Sequence, residues 1–119
     1  MLTAGIKRVD RRAVTAAVEA WAEALAQRPE VERIVWYGSF VSGTPTPRSD
    51  ADLCVVVHDD SVASMPRYAR GADYLPPTAT PVPFDLTVLT VAEHAALDSW
   101  APAWASAIGH GRVLFARCG

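Results

Sequence analysis

Asp50 and Asp52 are one residue apart, and an apolar run follows directly, Leu53-Cys54-Val55-Val56-Val57. Residues i and i+2 of a strand project to the same face, roughly 6.5–7 Å apart along the chain. The spacing therefore predicts two carboxylates side by side on one surface. Adjacent carboxylates repel each other and raise each other's pKa. A divalent cation between them makes the arrangement favourable, and Mg²⁺ is commonly held by one or two carboxylates together with substrate phosphates. A third acid, Asp85, stands in Phe84-Asp85-Leu86-Thr87-Val88-Leu89, which reads as another buried strand. A lone buried carboxylate either costs much free energy or takes up a proton, so Asp85 is expected to have a partner. A cluster shared with Asp50 and Asp52 would supply one. Three carboxylates on neighbouring strands can hold two Mg²⁺ ions about 3.5–4 Å apart, the geometry of in-line phosphoryl transfer.

Ten residues separate Asp50 from an upstream Gly38-Ser39 pair. Glycine lets the backbone approach a phosphate with no Cβ in the way. Ser39 offers a hydroxyl and an N–H to phosphate oxygens. The turn is expected to open a short helix, whose N-terminus favours an anion. Each feature also has a plain structural reading. Gly38-Ser39 alone could be any tight turn, Asp50 a turn residue after Pro47 and Ser49, and Asp85 a buried acid paired with an arginine. Asp52 resists such a reading, because the strand interior has already begun there. The functional reading is favoured because it accounts for all four features at once.

Gly38-Ser39, the ten-residue gap, Asp50-Ala51-Asp52-Leu53 and the later strand acid Asp85 together resemble the DNA polymerase β-type nucleotidyltransferase superfamily. Within it, the chain is similar to the single-domain minimal nucleotidyltransferases (MNT). The order of elements matches over most of the chain: helix, strand, Gly-Ser turn, strand with two acids, strand with one acid, helix, short strand. The resemblance implies an α+β fold, a compact mixed β-sheet flanked by helices. It implies that Gly38 and Ser39 hold a triphosphate and that Asp50 and Asp52 bind both metals. It also implies that Asp85 completes one metal site and helps to activate the attacking hydroxyl. The reaction implied is transfer of an NMP, AMP from ATP above all, to a hydroxyl acceptor with release of pyrophosphate. Two Mg²⁺ ions are the implied cofactor, with Mn²⁺ as a substitute. Two positions depart from the family pattern. Phe40 stands where many members carry a basic residue, and Arg48 is the nearest cation before the acids, favoured here as a solvated loop arginine. Ala51 is smaller than the usual aliphatic, at a position expected to face away from the metals.

The elements that must position these residues are readable in outline. Residues 10–28 are expected to form a helix, with Asp10 as N-cap, Val14, Ala17, Val18, Trp21 and Leu25 on one face, and Pro29 as its stop. Val31–Tyr37 reads as the first strand and delivers Gly38-Ser39 at its C-terminal end. Ligands of α/β sheets tend to bind beyond such ends. The loop 42–49, with Gly43, Pro45 and Pro47, is expected to be stiff and irregular. Residues 59–83 are the least readable: Pro66 could start a short helix reaching Tyr74, and the prolines at 76, 77, 81 and 83 favour an extended connection. Thr90 is an expected N-cap, and Leu97, Trp100, Trp104 and Ile108 follow at helical spacing, with Pro102 marking a kink or a break into two helices. Arg112–Phe115 is a final short strand. The helices are expected on one side of the sheet and the transfer site on the other. His58, Asp59 and Asp60 are better read as a polar strand end than as a metal cluster, and His94 and His110 as surface histidines.

Length and composition set the outer limits. The 119 residues suit one domain, 1–119, and half of them are apolar, including four tryptophans. The formal net charge of −2 and the lack of any basic tract argue against an extended nucleic-acid partner. Cys54 and Cys118 form no metal-ligand pattern, the N-terminus lacks the apolar core of a signal peptide, and no apolar run is long enough to span a bilayer. A reducing cytoplasm is the expected location. The acceptor is not readable. By resemblance, minimal members often act with a separately encoded helical HEPN protein, the nucleotidyltransferase being the antitoxin that can adenylylate the toxin. Transfer to an aminoglycoside-like small molecule, across a homodimer for example, stays open. So do a non-catalytic module that neutralises a partner by contact and a metal-dependent phosphohydrolase using the same acids.

Overall fold

The computed structural model describes residues 10–43, 45 and 49–117. Helix α1 (Arg11–Leu25) starts where the Asp10 carboxylate accepts the Ala13 amide at 3.1 Å. Val14, Val18, Trp21, Ala22 and Leu25 form its buried stripe, the periodicity expected of a helix with one face on a core. It ends three residues short of the expected Arg28. Pro29 disfavours helical geometry in the residue before it, and the chain leaves through tighter turns, with the amides of Gln27 and Arg28 bonded to the carbonyls of Ala24 and Leu25.

Among the described residues four strands follow: β1 (Val31–Tyr37), β2 (Ala51–Val57), β3 (Phe84–Thr90) and β4 (Arg112–Ala116). They form one mixed sheet in the order β3-β2-β1-β4. Strand β1 is antiparallel to both β2 and β4, and β2 is parallel to β3. A parallel neighbour requires a crossover connection, and residues 58–83 supply it. They fold into a 3₁₀ turn at Asp60–Ser64, the short helix α2 of the crossover (Arg67–Arg70) and a second 3₁₀ turn at Gly71–Tyr74. This is the helix start that Pro66 signals, weakened at Gly71.

Arg70 pins the crossover, and nothing in the local sequence marks it. Its side chain is 3% exposed. The guanidinium donates to the carbonyls of Val88 (3.0 Å) and Met65 (3.2 Å) and pairs with both oxygens of Glu93 at 2.7 and 3.1 Å. Glu93 also closes a capping box with Thr90 at the start of helix α3 (Val91–Ala95). Trp21 adds a second tie, its indole N–H bonding the Tyr74 carbonyl at 2.7 Å.

The stretch after β3 breaks twice, giving α3, α4 (Leu97–Trp100) and α5 (Pro102–Gly109) instead of two helices. Pro102 occupies the first turn of α5, the one helical position where its missing N–H costs nothing. A further four-residue helix after β1, Ser39–Ser42, belongs to the site described below.

The expectation that all helices lie on one side of the sheet is not met. Strand alternation explains why: Ala51, Leu53, Val55 and Val57 of β2 join the α1 cluster, while Cys54 and Val56 join Leu97 and Ile108 on the opposite face. β2 is apolar on both faces, so both must be covered. The helices after β3 cover only part of the second face, and the acidic residues lie at its uncovered end.

Candidate active site

β1 ends at Tyr37, and Gly38 turns the chain with φ 85° and ψ −159°, a conformation essentially restricted to glycine. Gly38 caps the short helix Ser39–Ser42, and its carbonyl accepts the amides of Val41 and Ser42. Ser39 therefore opens a helical turn, as expected, and its amide lies among the first-turn donors that have no intrahelical acceptor. Phe40 does not stand in for a basic residue. It packs against the α1-side core, its ring 6.1 Å from that of Trp36.

Asp52 is the second residue of β2, and its Cα partners are Tyr37 on β1 and Asp85 on β3. The three side chains form a row across the sheet on the face opposite α1. The carboxylate of Asp52 packs against Gly38: a Cβ placed on residue 38 would overlap Asp52 Oδ2 and lie 3.0 Å from Cγ. Gly38 is thus required twice, for its backbone angles and for the room it leaves.

The structure revises the other two acids. Asp50 is not in the strand; β2 begins at Ala51, and Asp50 lies exposed just ahead of it. Asp85 is exposed as well, not the buried acid its apolar neighbours suggest. β3 is an edge strand, so the side chains at its start stay open to solvent. Ala51 faces away from the acids, fully buried in the α1-side core.

The acids still act on one another. Burial first, then the charges of Asp85 and Asp50, with a hydrogen bond to Asp85, push Asp52 up to about 6. Two carboxylates in hydrogen-bond contact share a proton or need a cation. Among the described residues no group of three His, Cys, Asp or Glu side chains is so arranged that it could by itself hold a metal ion. The donor set is nevertheless the one Mg²⁺ accepts. Hard oxygen ligands, repelling one another and beside a turn able to receive phosphate, fit a cation that completes its shell with substrate oxygens and water.

Three further residues adjoin the acids without a motif that marks them in the sequence. The Tyr37 hydroxyl lies 3.1 Å from Trp104 Nε1 and 3.4 Å from Thr87 Oγ1. Burial raises its pKa above the ordinary phenol range, so it stays an O–H. The available signals were Tyr37 directly before Gly38 and Thr87 two residues after Asp85, on the same strand face. Trp104 reads only as helix core from its spacing.

Other acid and histidine groups take no part. His58 Nε2 is 2.6 Å from Glu32 Oε2 at the far end of the sheet, and no metal cluster forms around it among the described residues. His94 is half-buried at the surface, and burial first, then Arg33, lowers its pKa. His110 bonds the Ser106 carbonyl at 2.8 Å. Cys54 is a free, buried thiol, pushed up to about 12 by burial. Arg48 and Cys118 lie outside the described residues. Among the described residues, no helix is long and apolar enough to cross a membrane.

The site thus combines a Gly-Ser turn closed against a strand acid with a second acid in register on the next strand. The sequence model of the Nucleotidyltransferase domain family matches residues 18–99, and the chain belongs to that family. That span contains the turn and all three acids. The fold is similar to the crystal structure of a protein from Sulfolobus solfataricus assigned as a nucleotidyltransferase, at 16% identity and a TM-score of 0.58, covering 95% of this chain and 94% of that one. It is also similar to a chain of the toxin–antitoxin MntA–HpeT, crystallised as a mutant with two Asp-to-Glu changes, at 17% identity and a TM-score of 0.50, covering 92% and 75%. No curated protein matches the chain.

Proposed function

We propose that this chain is a single catalytic domain that transfers a nucleoside monophosphate, AMP from ATP in the first instance, to a hydroxyl acceptor. The observation that carries the reading is the in-register pair Asp52–Asp85 closed against the Gly38 turn. Gly38 and Ser39 would receive the triphosphate, the glycine by leaving room and the serine through its hydroxyl and amide. Asp50, Asp52 and Asp85 would hold Mg²⁺, two ions when nucleotide is bound, with Mn²⁺ able to replace it. The bound cation supplies charge neutralisation for the triphosphate. Asp85, the exposed member of the pair, would accept the proton of the acceptor hydroxyl. The exposed face leaves room for in-line approach, so positioning and electrostatics carry the rate.

The acceptor reading favoured here is a protein hydroxyl on a partner. The similarity to MntA of a toxin–antitoxin pair supports it, and the Asp-to-Glu changes named for that mutant lie two positions apart, the spacing of Asp50 and Asp52. A helical HEPN-type toxin in a reducing cytoplasm is the partner implied. The same similarity gives the second reading some weight, that of a module which neutralises its partner by contact alone.

The test is thermal stability with each NTP, with and without Mg²⁺, for the wild type and Asp52→Asn. A ligand bound at 100 times its Kd stabilises the native state by about 2.7 kcal/mol. A Mg²⁺-dependent shift with ATP that the variant loses is the expected result. No shift with any nucleotide overturns the transferase reading in favour of the contact module.

A further inference from the structure

Tyr37 closes β1 opposite Asp52 and is 8% exposed. Its hydroxyl has two neighbours, Trp104 Nε1 at 3.1 Å and Thr87 Oγ1 at 3.4 Å. An indole N–H only donates. The Tyr37 oxygen therefore accepts from Trp104, and between Tyr37 and Thr87 either hydroxyl can donate. Thr87 belongs to β3, and β2 lies between β1 and β3. The Tyr37 ring must consequently cross β2 to make this bond. The registers locate the crossing: Tyr37 pairs with Asp52, and Thr87 pairs with Cys54. The ring thus passes between Asp52 and Cys54, with the acids on one side and the apolar cluster of Val56, Leu89, Leu97 and Ile108 on the other.

We propose that Tyr37 is a positioning residue for the transfer site. Its ring backs the Asp52 carboxylate, and its hydroxyl, held by Trp104 at 3.1 Å and within 3.4 Å of Thr87, fixes where that ring lies beside the acids. Helix α5, which carries Trp104, is then part of the site's framework although it holds no acid. The assignment rests on the metal-dependent reading given above. Residues that orient ligand side chains typically change metal affinity or activity by 10–100-fold when altered.

Tyr37→Phe tests this, since it keeps the ring and removes the hydroxyl. The probe is Mn²⁺ binding by calorimetry, with the indole ¹H–¹⁵N signal of Trp104 followed in parallel and assigned with Trp104→Phe. The expected result is a Trp104 signal displaced in Tyr37→Phe and a Mn²⁺ affinity about tenfold weaker, with the melting temperature close to wild type. Trp104→Phe should weaken Mn²⁺ similarly, and the double variant should be no worse than either single one, because both cut the same chain of bonds. Wild-type Mn²⁺ affinity in Tyr37→Phe, or losses that add in the double variant, would overturn the positioning role alone. Thr87→Val covers the case of a misfolded tyrosine variant: it cuts the chain at its other end and should weaken Mn²⁺ in the same way, an unchanged affinity counting against the proposal. Failure of the wild type itself to bind Mn²⁺ would be a different outcome, sinking the metal-dependent reading and this assignment with it.

Discussion

The backbone of Gly38 and the carboxylate of Asp52 occupy adjoining space, so that any side chain at position 38 would displace the acid. Gly38→Ala is therefore expected to fail on two counts. The backbone angles are glycine-only, a strain of about 1–3 kcal/mol. The new methyl also meets Asp52 Oδ2. Chemical denaturation should show the lost stability, and Mg²⁺-dependent ATP binding should vanish even where the variant remains folded.

Asp52→Asn should separate function from stability. Asp52 is raised to about 6 by burial and by its acidic neighbours. The native state thus holds the proton more tightly than the unfolded chain. Stability from this group is fully present below the unfolded value near 3.9 and is lost as pH rises through about 6. The group is partly exposed, so solvent screening reduces the effect to roughly 1 kcal/mol. The asparagine variant should be as stable as the wild type or slightly more so at pH 7 without ligand, yet gain nothing from Mg²⁺ and ATP. Thermal melts at pH 4.5 and 7 check both halves.

Proton and cation should compete for the same carboxylate. Metal ligands must be deprotonated, and Asp52 keeps its proton up to about pH 6. Mn²⁺ affinity is expected to rise as pH is raised from 5 to 7 and then to level off. Calorimetry across that range provides the check, and a flat profile would remove Asp52 from the ligand set.

Arg70→Met should destabilise the crossover without touching the acids. It strips hydrogen bonds from the carbonyls of Val88 and Met65 and removes the partner of Glu93. A loss of about 2–4 kcal/mol follows from unpaired buried groups. The hydrogen bonds from Arg70 hold Glu93 below the usual carboxylate range. Its contribution is present above the unfolded pKa and fades as pH falls through the lowered folded one. The variant should lose that part of the acid-side stability decline, which urea melts between pH 3 and 6 would reveal.

The turn and the strands that carry the candidate site are legible in the sequence. The apolar run at 53–57 and the glycine at 38 mark strand and turn through local preference alone, and β1 has the bounds Val31–Tyr37 that the pattern predicts. Boundaries next to proline and at the entry to β2 were less readable. Whether Asp50 lies inside the ladder depends on which residues find a partner in β3, and the first β2 residue so paired is Ala51.

The amino-acid sequence by itself determined the first helix, the four strands, the Gly-Ser turn and the family, since these depend on periodicity, turn chemistry and spacing along the chain. The tertiary structure alone decided which groups meet. Register puts Asp52 beside Asp85, the edge position of β3 leaves Asp85 open to solvent, and the two apolar faces of β2 draw helices to both sides. The Tyr37 link to Thr87 and Trp104, and the burial of Arg70 against Glu93, join residues distant in the chain. No local signal encodes such contacts, because their energy depends on burial that exists only once the sheet has formed.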